Sequence, residues 1–197
     1  MEKASEVLTR EQILTATEET LRRFGVGKTS VTDVAKVLGV SHGTLYRHFK
    51  SKADLLEGAT ESWLTDKIIE PLTAVCSDTS LNGSAHLYQY IRTLIELKRA
   101  SAREDEELFR VYAKVTEEAA DLIGRHIRHI TDQLSEIITR ANPACASPGR
   151  LASAIFYATA RFHHPAHAYA WKSPSIDEEF AEVWSLLEQG FANQLSE

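Results

Sequence analysis

Cysteine is nearly absent: Cys76 and Cys145 stand far apart and show no Cys-x-x-Cys spacing. A disulfide framework is therefore excluded, and the two read as free thiols in a reducing compartment, with a redox-sensing role as the open alternative. No run of about 18 apolar residues occurs, so no segment is expected to span a membrane. The first residues, Met1-Glu2-Lys3-Ala4-Ser5-Glu6, lack the apolar stretch of a signal peptide. A cytoplasmic location is the expectation. No stretch alternates with the period of a strand, and there is no internal repeat or low-complexity segment. A nucleophile–base pair, a paired-carboxylate motif and a phosphate loop are all missing, which argues against an enzyme and against any cofactor.

What is present is helical periodicity and an uneven charge. Hydrophobic residues make up 43% of the chain and charged ones 25%, enough for a packed core in 197 residues. The formal net charge is −6, which taken whole argues against nucleic acid. Residues 1–52, however, hold nine Lys/Arg against six Asp/Glu, while 53–197 hold 13 against 22. A mildly basic head on an acidic body fits a nucleic-acid-binding domain joined to a part that does not touch nucleic acid. The small excess in the head implies that one copy binds weakly and that two are needed.

The head carries a motif. Ser30 and Asp33 form a capping box, and Val31, Val34, Ala35 and Leu38 give a helical apolar stripe. Gly39 falls where a left-handed residue ends that helix, and Val40 can tuck into the core. Ser41 then caps a second helix, expected to run two turns. Leu45 and Phe49 share its inner face, while Gly43 and Arg47 fall opposite, flanked by Thr44 and Tyr46 and followed by His48 and Lys52. The outer side is rich in donors and free of acids, and its first side chains are short. Helix, glycine turn and helix make a helix-turn-helix, whose second helix enters the DNA major groove.

Residues 9–57 resemble the TetR (AcrR-like) family of bacterial transcription regulators. The resemblance is carried by Thr-Ser-Val-Thr-Asp-Val-Ala at 29–35, Leu-Gly-Val-Ser at 38–41, Gly-Thr-Leu-Tyr at 43–46 and His-Phe-Lys-Ser-Lys at 48–52. It implies that Thr44, Tyr46, His48 and Lys52 contact phosphate, and that Thr32, His42, Gly43 and Arg47 lie near base edges. It also implies a four-helix-bundle dimer built from the last two helices.

Helix 1 is expected from an N-cap at Thr9 to Gly25, with Ile13, Ala16, Leu21 and Phe24 inward. Helix 4 starts at Ser51 and is ended or kinked by Pro71. Further helices are expected at about 85–101, 104–116, 118–141, 150–171 and 176–195. The fold class is all-α, about nine helices, with a DNA-binding domain over 1–52 and a ligand-binding and dimerisation domain over 53–197. Aromatic and polar residues of the body that could line a pocket are Trp63, Tyr88, Arg92, Phe109, Tyr112, His126 and Phe156, with core packing as the plainer reading. Phe162, Trp184, Leu187 and Phe191 are assigned to the dimer interface, with internal packing as the alternative. His126 and His129, and His163, His164 and His167 around Pro165, read as pocket, interface or surface residues rather than metal ligands, since thiolate or carboxylate partners are wanting. The run Arg103-Glu104-Asp105-Glu106-Glu107 complements a helix N-terminus. Arg22 and Arg23 complement a C-terminus, with phosphate contact as an alternative.

The reading is a cytoplasmic homodimer that binds a pseudo-palindromic double-stranded DNA operator and is released by a small, largely apolar effector. The alternative is a regulator controlled by a protein partner or redox state, with no small-molecule inducer.

Overall fold

Capping chemistry marks where the first helices begin. In the computed structural model, which describes residues 8–195, α1 spans Arg10–Lys28. Met1 to Glu6, read above as lacking a signal sequence, lie outside the described residues. The Thr9 hydroxyl accepts the Gln12 backbone N–H, and the Gln12 side chain accepts the Thr9 N–H. Gly25 interrupts α1 at φ 72°, a left-handed value that favours glycine. α2 (Val31–Val37) begins on the reciprocal Ser30–Asp33 box, and Gly39 follows at φ 65°. α3 (His42–Tyr46) is capped by Ser41 and is shorter than expected. Beyond it the chain tightens: Arg47 N–H reaches the Thr44 carbonyl at 3.3 Å and His48 N–H the Leu45 carbonyl at 2.9 Å. That three-residue spacing is of the 3-10 kind, while the Phe49 N–H returns to the Leu45 carbonyl at 2.9 Å with the four-residue spacing of an α turn. α4 (Lys52–Leu64) starts where Asp54 accepts the Lys50 N–H at 2.7 Å and gives its own N–H to Ser51 Oγ at 3.1 Å.

Two packing units result. The first joins the described residues up to Trp63 with Asp105–Leu122; the second joins Leu64–Glu104 with the residues from Ile123 on. Packing thus groups differently from the division at residue 52: α4 to Trp63, and the later α7 (Glu106–Glu118), go with the helix-turn-helix. The core of the first unit contains Ile13, Leu14, Val31, Val34, Leu45, Phe49 and Leu55. Gly58 of α4 allows the close approach there, since a Cβ on it would lie 2.8 Å from Phe49 Cε1. α7 packs on α1. Asp105 caps it through the Leu108 N–H at 3.0 Å and pairs with Arg22 Nε at 2.7 Å. Arg22, read above as a possible phosphate contact, is thus engaged within the unit. Phe24 is a correction: it is 44% exposed, because the buried stripe ends at Leu21 and the helix breaks at the next residue, Gly25.

In the second unit, Pro71 acts through a widened turn. Thr65–Ile69 are π-helical, with the Glu70 N–H reaching back to the Thr65 carbonyl, and α5 (Glu70–Cys76) carries Pro71 in its first turn. Proline has no N–H to give and crowds the carbonyl four residues back, so the turn opens. α6 (Gly83–Glu104) and α8 (Ala120–Ala141) follow the predicted pattern. The single helix expected over 150–171 is broken into α9 (Pro148–Ala158), α10 (Ala160–His163) and a 3-10 segment (Pro165–Lys172). Thr159 turns its hydroxyl onto the carbonyls of Ile155 and Phe156 at 2.9 and 3.1 Å, and Pro165 ends the next turn. α11 spans Ile176–Leu195. A buried polar chain ties α6, α8 and α5: Tyr90 Oη donates to Gln133 and Gln133 Nε2 to Thr73, both at 2.6 Å. Among the described residues there is no strand. No described helix is long and apolar enough to cross a membrane.

Candidate nucleic-acid interface and body core

The outer face of α3 is built by what its inner face buries. Leu45 and Phe49 are both fully buried, which fixes the roll of the short helix. The opposite side therefore presents His42, Gly43, Tyr46 and Arg47, all exposed, with Thr44 and His48 half-buried. Ser41 Oγ accepts the Thr44 N–H at 3.2 Å and lies 2.9 Å from Thr44 Oγ1. The ring of Tyr46 stands edge-on to His42, with centroids 5.1 Å apart. Thr32, on α2, is exposed, and Lys52 is half-buried at the start of α4. No carboxylate lies between Ser41 and Lys52. Gly43 is not demanded by the fold: its φ is not positive, and a Cβ there would meet nothing nearer than Ser41 Oγ at 3.9 Å.

The seven pocket candidates divide between the units. Trp63, Phe109 and Tyr112 are buried in the first, where Trp63 stacks on Tyr112 at 4.2 Å. Tyr88, Arg92, His126 and Phe156 belong to the second. Arg92 is taken up by Glu96 at 2.8 Å and Asp177 at 3.6 Å. Tyr88 stacks on Phe180 and meets Trp184 edge-on. Phe156 lies 4.8 Å from the ring of His163. His126 is different, because its Nε2 is buried without a hydrogen bond.

The interface candidates turn inward. Phe162, Trp184 and Phe191 are 1%, 5% and 2% exposed in a single copy. Phe162 packs on Phe180 at 5.3 Å, and Trp184 packs on Phe180 and Phe191 at 6.2 and 5.9 Å. Within one copy these three side chains are thus covered by the chain's own core. Leu187 is half-buried. Among the described residues, the large exposed apolar side chains on α9 and α11 include Tyr157 and Leu186, 62% and 71% exposed.

Sequence reasoning missed Lys98. A lysine on an amphipathic helix reads as surface, yet Lys98 follows Ile91, Leu94 and Ile95 on the buried stripe of α6 and is 6% exposed. The signal was its register. Burial holds its amine down to about 7. His163 is 3% exposed, and burial keeps its imidazole neutral, down to about 3. Cys76 and Cys145 are free, and burial raises the Cys76 thiol above its ordinary range. Among the described residues, no group of three or more His, Cys, Asp or Glu could hold a metal ion.

Comparison with known proteins places both parts of the chain. Residues 13–59 match the family of bacterial regulatory proteins, tetR family, and residues 83–184 match the tetracyclin repressor-like C-terminal domain. The HTH-type transcriptional regulator TtgR of Pseudomonas putida is 39% identical over 54 residues, which is 27% of this chain and 26% of that protein. The match therefore spans about a quarter of that relative's length. A TetR-family transcriptional regulator from Pectobacterium atrosepticum shares the fold at a TM-score of 0.66 and 22% identity, covering 95% of this chain and 94% of that one. FadR of Bacillus subtilis, solved in complex with stearoyl-CoA, shares it at 0.63 and 19% identity, covering 91% and 97%. The second match alone spans more than half of the chain, and with the helix-turn-helix ahead of it the chain belongs to the TetR family, a family of DNA-binding transcriptional regulators and not of enzymes.

Proposed function

We propose that the protein is a cytoplasmic repressor that binds a pseudo-palindromic operator as a homodimer and leaves it when a small, largely apolar molecule enters the body. The observation that carries the reading is the outer face of α3: exposed, acid-free, and opened by a glycine that the fold does not require. Thr44, Tyr46, His48 and Lys52 hold phosphates, which position the helix, while Thr32, His42, Gly43 and Arg47 face base edges. Arginine favours guanine through O6 and N7. The acidic body keeps the rest of the surface off the DNA.

Two copies meet through α9 and α11, with Tyr157 and Leu186 taking the place first given to the buried aromatics. Two recognition helices reach successive major grooves only when about 34–36 Å apart. An effector that prefers a state with another spacing removes one half-site and thereby releases the operator. Selecting bound fragments from genomic DNA gives the operator, and a gel shift on that operator, challenged with small molecules, tests release. A selected consensus without two-fold symmetry would overturn the dimeric reading. A complex that no small molecule relieves would favour control by a partner or by redox state.

A further inference from the structure

Arg10 opens α1 at a place where a cation is unwelcome. The first turn of a helix carries the positive end of its dipole, and the acid that complements it there is Glu11. The Arg10 side chain is exposed, yet its guanidinium is held in place. Its central carbon lies 4.3 Å from the centre of the Phe49 ring, as a cation over a π face. Gly58 makes the room. A Cβ there would meet Phe49 Cε1 at 2.8 Å, Arg10 Nη2 at 3.1 Å and Leu14 Cδ2 at 3.3 Å, so ring and guanidinium converge on a residue without a side chain. Among the described residues the guanidinium makes no salt bridge and no hydrogen bond. Glu11 and Glu57, beside Arg10 and Gly58 in sequence, are both exposed and do not pair with it. All of these residues belong to the first unit. Covering Phe49 asks only for an apolar side chain. A guanidinium fixed by one face, with its donors left open, is suited to an oxyanion.

The oxyanion that the position fits is a DNA phosphate. Phe49 follows His48 and stands three residues before Lys52, and both of those are read above as phosphate contacts. We propose that Arg10 is a further phosphate contact, on the stretch of DNA backbone that His48 and Lys52 hold, with Phe49 as its positioning residue. The inference rests on the DNA-binding reading and adds to it a residue outside the helix-turn-helix. The Phe49 ring then has two tasks: it fixes the roll of the recognition helix and the direction of Arg10. Stacking restricts the long side chain before DNA arrives, so less freedom is lost on binding. The contact carries charge and no base information, so it strengthens binding to every duplex alike.

Fluorescence anisotropy on the full chain tests this. The probes are the selected operator and a scrambled duplex of the same length, each titrated across salt concentrations. Arg10→Met keeps an unbranched apolar stem over the ring. It should weaken binding to both probes by about five- to tenfold at about 0.1 M salt and lower the salt slope by about one. Arg10→Lys keeps the charge and should keep the parent's slope. A side chain that only covers Phe49 would shift the melting temperature of both variants and leave both slopes alone. An unchanged slope for a folded Arg10→Met, against a salt-dependent parent, therefore overturns the proposal, as does a loss confined to the operator. If circular dichroism shows that Arg10→Met does not fold, Arg10→Gln is read in its place; if neither neutral variant folds, the residue serves the fold and the assignment falls. Failure of the DNA-binding reading looks different: the parent itself then binds neither duplex, and this inference falls with it.

Discussion

Gly43→Ala should make the protein more stable and a worse DNA binder. The added Cβ meets only Ser41 Oγ at 3.9 Å, an ordinary contact, and the backbone there is not in the left-handed region. Replacing such a glycine restricts the unfolded chain and stabilises by about 0.4–1 kcal/mol. For a chain of this size that is a rise in melting temperature of about 1–4 °C. On DNA the same methyl stands where the phosphate backbone or a base edge should touch. Overpacking a fitted surface costs about 1–3 kcal/mol, and each 1.4 kcal/mol is about tenfold in affinity. Gly58→Ala is the control of opposite sign, since its Cβ would lie 2.8 Å from Phe49 Cε1. That variant should melt lower. Thermal denaturation followed by circular dichroism and fluorescence anisotropy with the selected operator measure the two effects. A Gly43→Ala protein that binds as tightly as the parent refutes the argument that glycine serves the partner rather than the fold.

Three further outcomes are expected. Arg47→Ala should cost about 1–3 kcal/mol on the cognate operator and relax one base pair per half-site, whereas Lys52→Ala should lower the salt slope of binding by about one; repeated selection and titrations across salt concentration check these, and an unchanged consensus or slope reassigns the residue. Leu186→Asp should give monomers in sedimentation that stay folded by circular dichroism, because Leu186 is 71% exposed within one copy, while Trp184→Asp, at a site 5% exposed, should unfold the chain; a Leu186→Asp dimer would move the interface elsewhere. Asp105→Asn keeps a good N-cap and should lose only the Arg22 pair, about 0–1 kcal/mol, while Asp105→Ala should lose the cap as well, about 1 kcal/mol more; chemical denaturation distinguishes them, and equal losses would mean that the cap contributes nothing.

The helix-turn-helix was legible because its determinants are local. Thr9 with Gln12, Ser30 with Asp33, and Ser41 with Thr44 are all three residues apart, and the structure joins each pair. Contacts distant in sequence were not legible. Nothing near Asp105 announces that Arg22 is its partner, and the acidic run was explained by the helix terminus alone. The stripe of α11 was visible, but a stripe states that a face is buried and not by what. Tyr88 of α6 and Phe180 of α11 cover Trp184, and Phe162 of α10 covers Phe180, so the partners come from three different helices. The break at Thr159 was hidden because a threonine hydroxyl competes for helix carbonyls only in some surroundings.

The placement of α7 also bears on how the chain is made. The unit that carries the helix-turn-helix is interrupted by Leu64–Glu104 and is completed by Asp105–Leu122. During synthesis its N-terminal helices leave the ribosome first, but the face of α1 that α7 covers stays open until some forty further residues of the other unit have been added. Contacts that close over such a separation form late. A nascent chain arrested after Trp63 has capped α1, α2 and α3 without the Arg22–Asp105 pair or the packing of α7. Proteolysis of stalled chains should find α1 accessible at that length and protected once Leu122 has emerged, and early protection would show that the head closes without α7.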